Sequence, residues 1–193
     1  NKMLLYLSSI TAFSFIISGV VTLIYDAFFF VVFGYTWLAI VAVVLIDGLT
    51  ATVCRLLPKK FANHEKKIFQ VSAKEKKFYE KLKIRKWKDS VPEIGQFTGF
   101  RKNKLENPQS VEYVERFLLE VCYGEIGHFV SLFSGFLIVL LFFIAEYFWL
   151  IALCVAFINA LMNLPSFCIL RYNSYKLEIL RKSNLKKQAR LSA

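Results

Sequence analysis

From Met3 to Cys54, and again from Phe117 to Leu170, the chain is predominantly apolar and contains no lysine or arginine. These stretches are 52 and 54 residues long. A helix crosses a bilayer in roughly 20 residues, so each stretch holds two crossings. The pattern predicts an all-α integral membrane protein with four transmembrane helices: about Met3 to Ile24, Phe28 to Leu56, Phe117 to Ala145 and Tyr147 to Leu170. Tyr25 and Asp26 mark a tight turn in the first hairpin, and Glu146 marks the turn of the second. Tyr35 and Trp37 are expected in the outer aromatic belt.

Polar positions fill the interval between the hairpins. Arg55 to Arg116 carries 17 cations and 8 anions. Interleaved with them are Phe61, Ile68, Phe69, Phe78, Tyr79, Leu82, Ile84 and Trp87, a mixture expected to form one or two short amphipathic helices on the membrane surface, with lysine stems reaching toward headgroups. Pro92, Gly95 and Gly99 punctuate its second half. Asn107 followed by Pro108 reads as a helix start that runs unbroken into the third span. The expected organisation is a transmembrane hairpin over 1–57, a basic loop over 58–116, a second hairpin over 117–171 and a basic tail over 172–193.

Composition and charge sharpen this picture. The net charge is +11, and apart from Lys2 every cation lies in the middle segment or the tail. The positive-inside bias therefore predicts that both termini and the basic loop are cytoplasmic, in a multi-pass protein of the cell membrane. The cations flank apolar spans, so anionic lipid headgroups rather than nucleic acid are the expected partners. The N-terminal run lacks a small-residue cleavage site and reads as the first span rather than a cleaved leader. Cys54, Cys122, Cys154 and Cys168 show no metal or disulfide spacing and are expected to serve packing.

Four acidic or histidine residues lie within the apolar stretches away from the hairpin turns: Asp47, Glu120, Glu125 and His128. Asp47 sits inside the second span, eight residues before Arg55; it is either a functional carboxylate or one hydrated near the surface. Glu120, Glu125 and His128 share a face of the third span. Antiparallel folding about residue 146 sets His128 level with Leu164, Glu125 with Phe167 and Glu120 with Tyr172, so that Asn159, Asn163, Arg171 and Asn173 face the acids and the imidazole. One reading is a pair of polar staples, Glu120 to Arg171 and His128 to Asn163. A di-iron site needs a second Glu-x-x-His pair, and His64 is read as having no matching acid, so no metal is expected. The remaining reading is acid/base chemistry: Glu125 or Glu120 orients His128, the imidazole takes a proton from a hydroxyl, and Arg171 holds a phosphate or an oxyanion.

Three blocks carry a resemblance to a known family: Arg85-Lys86-Trp87-Lys88, the run from Glu120 through Glu125 to His128, and Asn163-Leu164-Pro165 followed by Arg171-Tyr172-Asn173. Over roughly Phe78 to Leu180 the chain resembles the glycosyl-4,4'-diaponeurosporenoate acyltransferases. It departs from that pattern at Val121, Gly124 and Phe129, where the family has Thr, Ala and Trp, and at Ser174-Tyr175-Lys176, where it has Arg-Pro-Arg. The resemblance implies transfer of a fatty acyl group from acyl-CoA or an acyl carrier, with no other cofactor, to a hydroxyl of a membrane-embedded glycolipid such as a glycosylated carotenoid. It implies Glu120, Glu125 and His128 as catalytic residues. Arg171, Asn173, Asn163, Asn159, Trp87, Arg85 and Lys88 are the implied substrate-binding residues. A non-enzymatic scaffold or lipid-binding subunit, with the polar cluster as interhelical glue, is the alternative. Four spans without inverted repeats or broken helices are not the pattern expected of a stand-alone secondary transporter.

Overall fold

The computed structural model describes residues 2–91 and 105–191, and the punctuation at Pro92, Gly95 and Gly99 lies outside them. All regular structure among the described residues is helical: α1 (Lys2–Tyr25), α2 (Phe29–Leu56), α3 (Ala73–Lys81), α4 (Ile84–Trp87), α5 (Val111–Ser134), a 3-10 helix (Gly135–Ile144) and α6 (Phe148–Leu191). Four helical segments are long and apolar enough to cross a membrane: Leu7–Tyr25, Phe29–Leu56, Val111–Ile144 and Phe148–Leu191. The chain is therefore an all-α, multi-pass membrane protein. Leu23, Phe28 and Phe143, each more than two-thirds exposed, belong to the outward apolar surface that lipid covers.

Two compact units emerge, Asn1–Val53 with Gly127–Leu164, and Cys54–Ile126 with Pro165–Ala193. In the first, Val21, Val32, Ala39, Ile138, Phe148, Ile151 and Ala152 are buried together. α1 and α2 also share a hydroxyl contact, Ser18 Oγ to Thr36 Oγ1 at 3.0 Å, while each hydroxyl bonds back to its own helix. Small hydroxylated residues let helix backbones approach closely without stranding a polar group in lipid. The turn between them uses a left-handed residue, Asp26, at φ 48°.

In the second unit, Val114, Phe117, Leu118, Val121 and Leu177 form one cluster, and Tyr79, Ile84, Ile169 and Tyr172 another. Ser72 caps α3, accepting from the Glu75 backbone N–H at 3.1 Å. Lys83, left-handed at φ 53°, separates α3 from α4. The basic segment thus contains two short helices.

Three boundaries differ from the sequence expectation. α5 begins at Val111, not Pro108: Asn107 and Pro108 make a turn whose carbonyl at Asn107 accepts from Ser110, and Ser110 Oγ is the cap, accepting from the Tyr113 N–H. A serine three residues on satisfies the first helical donors, which leaves the proline to the turn. The helix then runs continuously to Ser134. Beyond it the third span tightens into the 3-10 helix, with Leu141 off helical geometry. At about 2.0 Å rise per residue against 1.5 Å, ten residues reach about 5 Å further. Finally, the tail extends α6 to Leu191 through Pro165. Leu177 packs in the α5 cluster, Arg181 pairs with Glu115 at 2.9 Å, and Asn184 donates to the Pro108 carbonyl, so contacts on this face hold the cationic segment helical.

Candidate active site

The polar residues singled out from sequence separate into two groupings, one in each unit. In the first unit, Asn163 on α6 is the centre. Its Nδ2 donates to the backbone carbonyl of Asn159 at 3.1 Å and to Asp47 Oδ2 at 3.0 Å. A backbone carbonyl can only accept, so the amide orientation is fixed and Asn163 Oδ1 is left facing His128 Nδ1 at 2.8 Å. That nitrogen must then donate, and in the neutral ring Nε2 carries the lone pair. His128 itself is half-buried. Asn159 adds a bond to the Ser131 carbonyl at 3.3 Å, and Asp47 Oδ1 is buried without a partner. Asp47 is therefore joined to the histidine through an amide.

In the second unit, Arg171 is the centre. Nε and Nη2 grip Glu75 at 2.8 and 2.9 Å, and Nη1 reaches the Ile68 carbonyl at 2.8 Å and Glu125 at 3.1 Å. Four of the five guanidinium N–H groups are engaged. Burial disfavours an ionised Glu75, yet hydrogen bonds from Arg171 and Tyr79 and the guanidinium charge hold its carboxyl below the ordinary range. Burial and the bond to Glu75 push the Tyr79 phenol up. This grouping is a saturated ion cluster.

Several pairings expected from sequence are corrected. Glu120 does not bridge Arg171 but lies 3.6 Å from Arg55, because Glu75 on α3 claims the guanidinium with two oxygens. Glu125 bonds Arg171, and His128 takes its orientation from Asn163. Arg171 is spent on protein groups rather than left open for an oxyanion. His64 does have an acid: Glu178, 114 residues away in sequence, bonds its Nδ1. Trp87 donates from Nε1 to the Leu82 carbonyl and packs with Tyr79, Ile84, Ile169 and Tyr172. Arg85 is exposed, and Lys88 and Asn173 are half-buried.

Glu75, Glu178 and Arg55 were missed as partners. Only Glu75 had a local signal: Ser72 followed three residues later by Glu75 is the pattern of a helix-capping box. Among the described residues no group of three or more His, Cys, Asp or Glu side chains is arranged to hold a metal ion, and the four cysteines are free.

Compared with known proteins, residues 59–183 match the model of one family, glycosyl-4,4'-diaponeurosporenoate acyltransferase. The chain belongs to this family. The match spans about two thirds of the sequence and includes both polar centres together with the Arg85 to Lys88 block. Membership makes the protein an acyltransferase, which uses an acyl donor and a glycolipid acceptor. No curated protein and no solved structure matches the chain.

Proposed function

We propose that this acyltransferase moves a fatty acyl group from the thioester of acyl-CoA or an acyl carrier to a hydroxyl of a glycosylated, membrane-embedded lipid, with His128 as general base. The observation that carries the reading is the fixed Asn163 amide. With Nδ1 donating to Asn163 Oδ1, the neutral ring has Nε2 as its basic nitrogen. Nε2 takes the hydroxyl proton as the oxygen attacks the thioester carbon. The tetrahedral intermediate collapses with loss of the C–S bond, and the departing thiolate takes the proton back from the imidazolium. Asp47, acting through Asn163, favours that transient cation.

Glu125 and Glu120 have no part in this scheme: Glu125 is bonded to Arg171, and Glu120 lies by Arg55. Trp87, Arg85, Lys88 and Asn173 remain candidates for contacts with the lipid headgroup or the donor. The cation distribution supports cytoplasmic basic segments lying against anionic headgroups of the cell membrane, the side on which soluble acyl donors occur.

The test uses purified protein in detergent with labelled acyl-CoA and a glycolipid. His128→Ala should lower kcat by about 10² to 10⁴ while leaving the thermal transition within a few degrees of wild type. A folded variant with most of its activity intact rejects the base assignment. An unmodified protein that turns over no donor on its own, and does so only with partner proteins, rejects the stand-alone reading in favour of a scaffold.

A further inference from the structure

The second unit contains a cavity of about 300 Å³ that the chemistry above does not use, lined by Lys59, Lys60, Ala62, Asn63, His64 and Leu119. Its polar groups are biased to one kind. Among the described residues neither lysine is paired with a carboxylate; Lys60 Nζ stands 5.3 Å from the Phe61 ring centre. Asn63 Oδ1 already accepts from the Glu65 N–H at 2.9 Å, which leaves its amide N–H groups. Glu178 holds His64 Nδ1, and an ionised carboxylate can only accept, so Nδ1 donates and Nε2 is the nitrogen left for a ligand. The nearby acids are already committed, Glu178 to His64 and Glu65 to Arg181 at 3.5 Å. The donors the cavity presents are therefore two ammonium groups and one amide.

Such a set fits a ligand that only accepts hydrogen bonds and carries negative charge. A volume of 300 Å³ is at the small end of ligand sites and accommodates a phosphate ester with its first attached atoms. We propose that this cavity is a phosphate subsite, and that the phosphate it takes is the one closing the pantetheine arm of the acyl donor. That group is common to acyl-CoA and acyl carriers, so one small site serves either. The source named here rests on the acyl-transfer reading; the anion chemistry does not.

Binding is measured by equilibrium dialysis on the intact protein in uncharged detergent, with 4'-phosphopantetheine and unphosphorylated pantetheine as probes. The phosphorylated probe should bind and pantetheine should not. Lys59→Gln and Lys60→Gln should each weaken binding by about tenfold, the scale of one charged hydrogen bond, without moving the thermal transition. Equal binding of both probes, or unchanged binding in the double lysine variant, overturns the proposal. A headgroup is the other source of the same chemistry. If vesicles containing phosphatidylglycerol capture the protein through Lys59 and Lys60 while 4'-phosphopantetheine does not bind, the donor assignment falls. Lysine-dependent probe binding in a protein that transfers no acyl group leaves the subsite standing and sinks the acyl-transfer reading alone.

Discussion

Replacing Arg171 separates a structural guanidinium from a substrate-binding one. Its side chain is 10% exposed and that of Glu125 only 3%. Arg171→Met keeps most of the apolar stem and removes all four bonds, to Glu75, Glu125 and the Ile68 carbonyl. At about 3 Å and an effective dielectric near 20, each ion pair is worth roughly 5 kcal/mol of gross attraction, much of it offset by desolvation. The loss on breaking the cluster is dominated by Glu125, whose Oε1 already lacks a partner. Leaving one buried charge uncompensated costs about 3–5 kcal/mol. Glu75, 27% exposed, recovers part of its hydration and adds less. Thermal and denaturant unfolding in detergent should show a large destabilisation, and the double variant Arg171→Met/Glu125→Gln should regain more than half of it. Arg171→Lys should recover only part, because one ammonium cannot serve both oxygens of Glu75 and also reach Glu125. If Arg171→Met unfolds within about 1 kcal/mol of wild type and instead raises KM for either substrate, the guanidinium binds substrate and the reasoning is wrong.

Other outcomes follow from single contacts. The Glu75 carboxyl is depressed from its ordinary value of 4.5, so its pairing stabilises the fold above that value and is lost as pH falls through the lower, folded one. Stability should therefore drop on acidification below about pH 4.5, with a shallower drop in Glu75→Gln; identical acid profiles exclude the pair as the cause. Asn163→Leu removes the acceptor that sets the His128 tautomer and should cut kcat by about 10 to 100-fold with donor KM unchanged, and Asp47→Asn should cost less. A fall confined to KM contradicts the positioning role. A Cβ at Gly124 would stand 2.9 Å from the flexible Leu170 Cδ1, so Gly124→Ala should shift stability by no more than about 1 kcal/mol, whereas Gly124→Phe should prevent folding. A cysteine introduced at Lys74 should resist an impermeant thiol reagent in intact cells and react in lysed ones; labelling in intact cells reverses the orientation.

The membrane fold was legible in the chain because hydrocarbon imposes a one-dimensional rule: a span needs about 20 residues without cations, and the gaps from Met3 to Cys54 and from Phe117 to Leu170 satisfy it twice each. Family motifs were equally local, so the blocks around Trp87, His128 and Arg171 were recognisable in order. The His128 to Asn163 bond was also anticipated, since an antiparallel hairpin sets the register of its two helices by counting from the turn. Tertiary structure alone decided which acids Arg171 and His64 meet. Glu75 reached Arg171 across 96 residues and Glu178 reached His64 across 114. Asp47 entered the histidine's network across 116 residues, through Asn163. A salt bridge between distant segments has no sequence period, and its partner is fixed only when packed helices bring charges within about 3 Å. The close approach at Gly135, where a Cβ would lie 3.1 Å from Asn159 Nδ2, was likewise visible only in the packed helices.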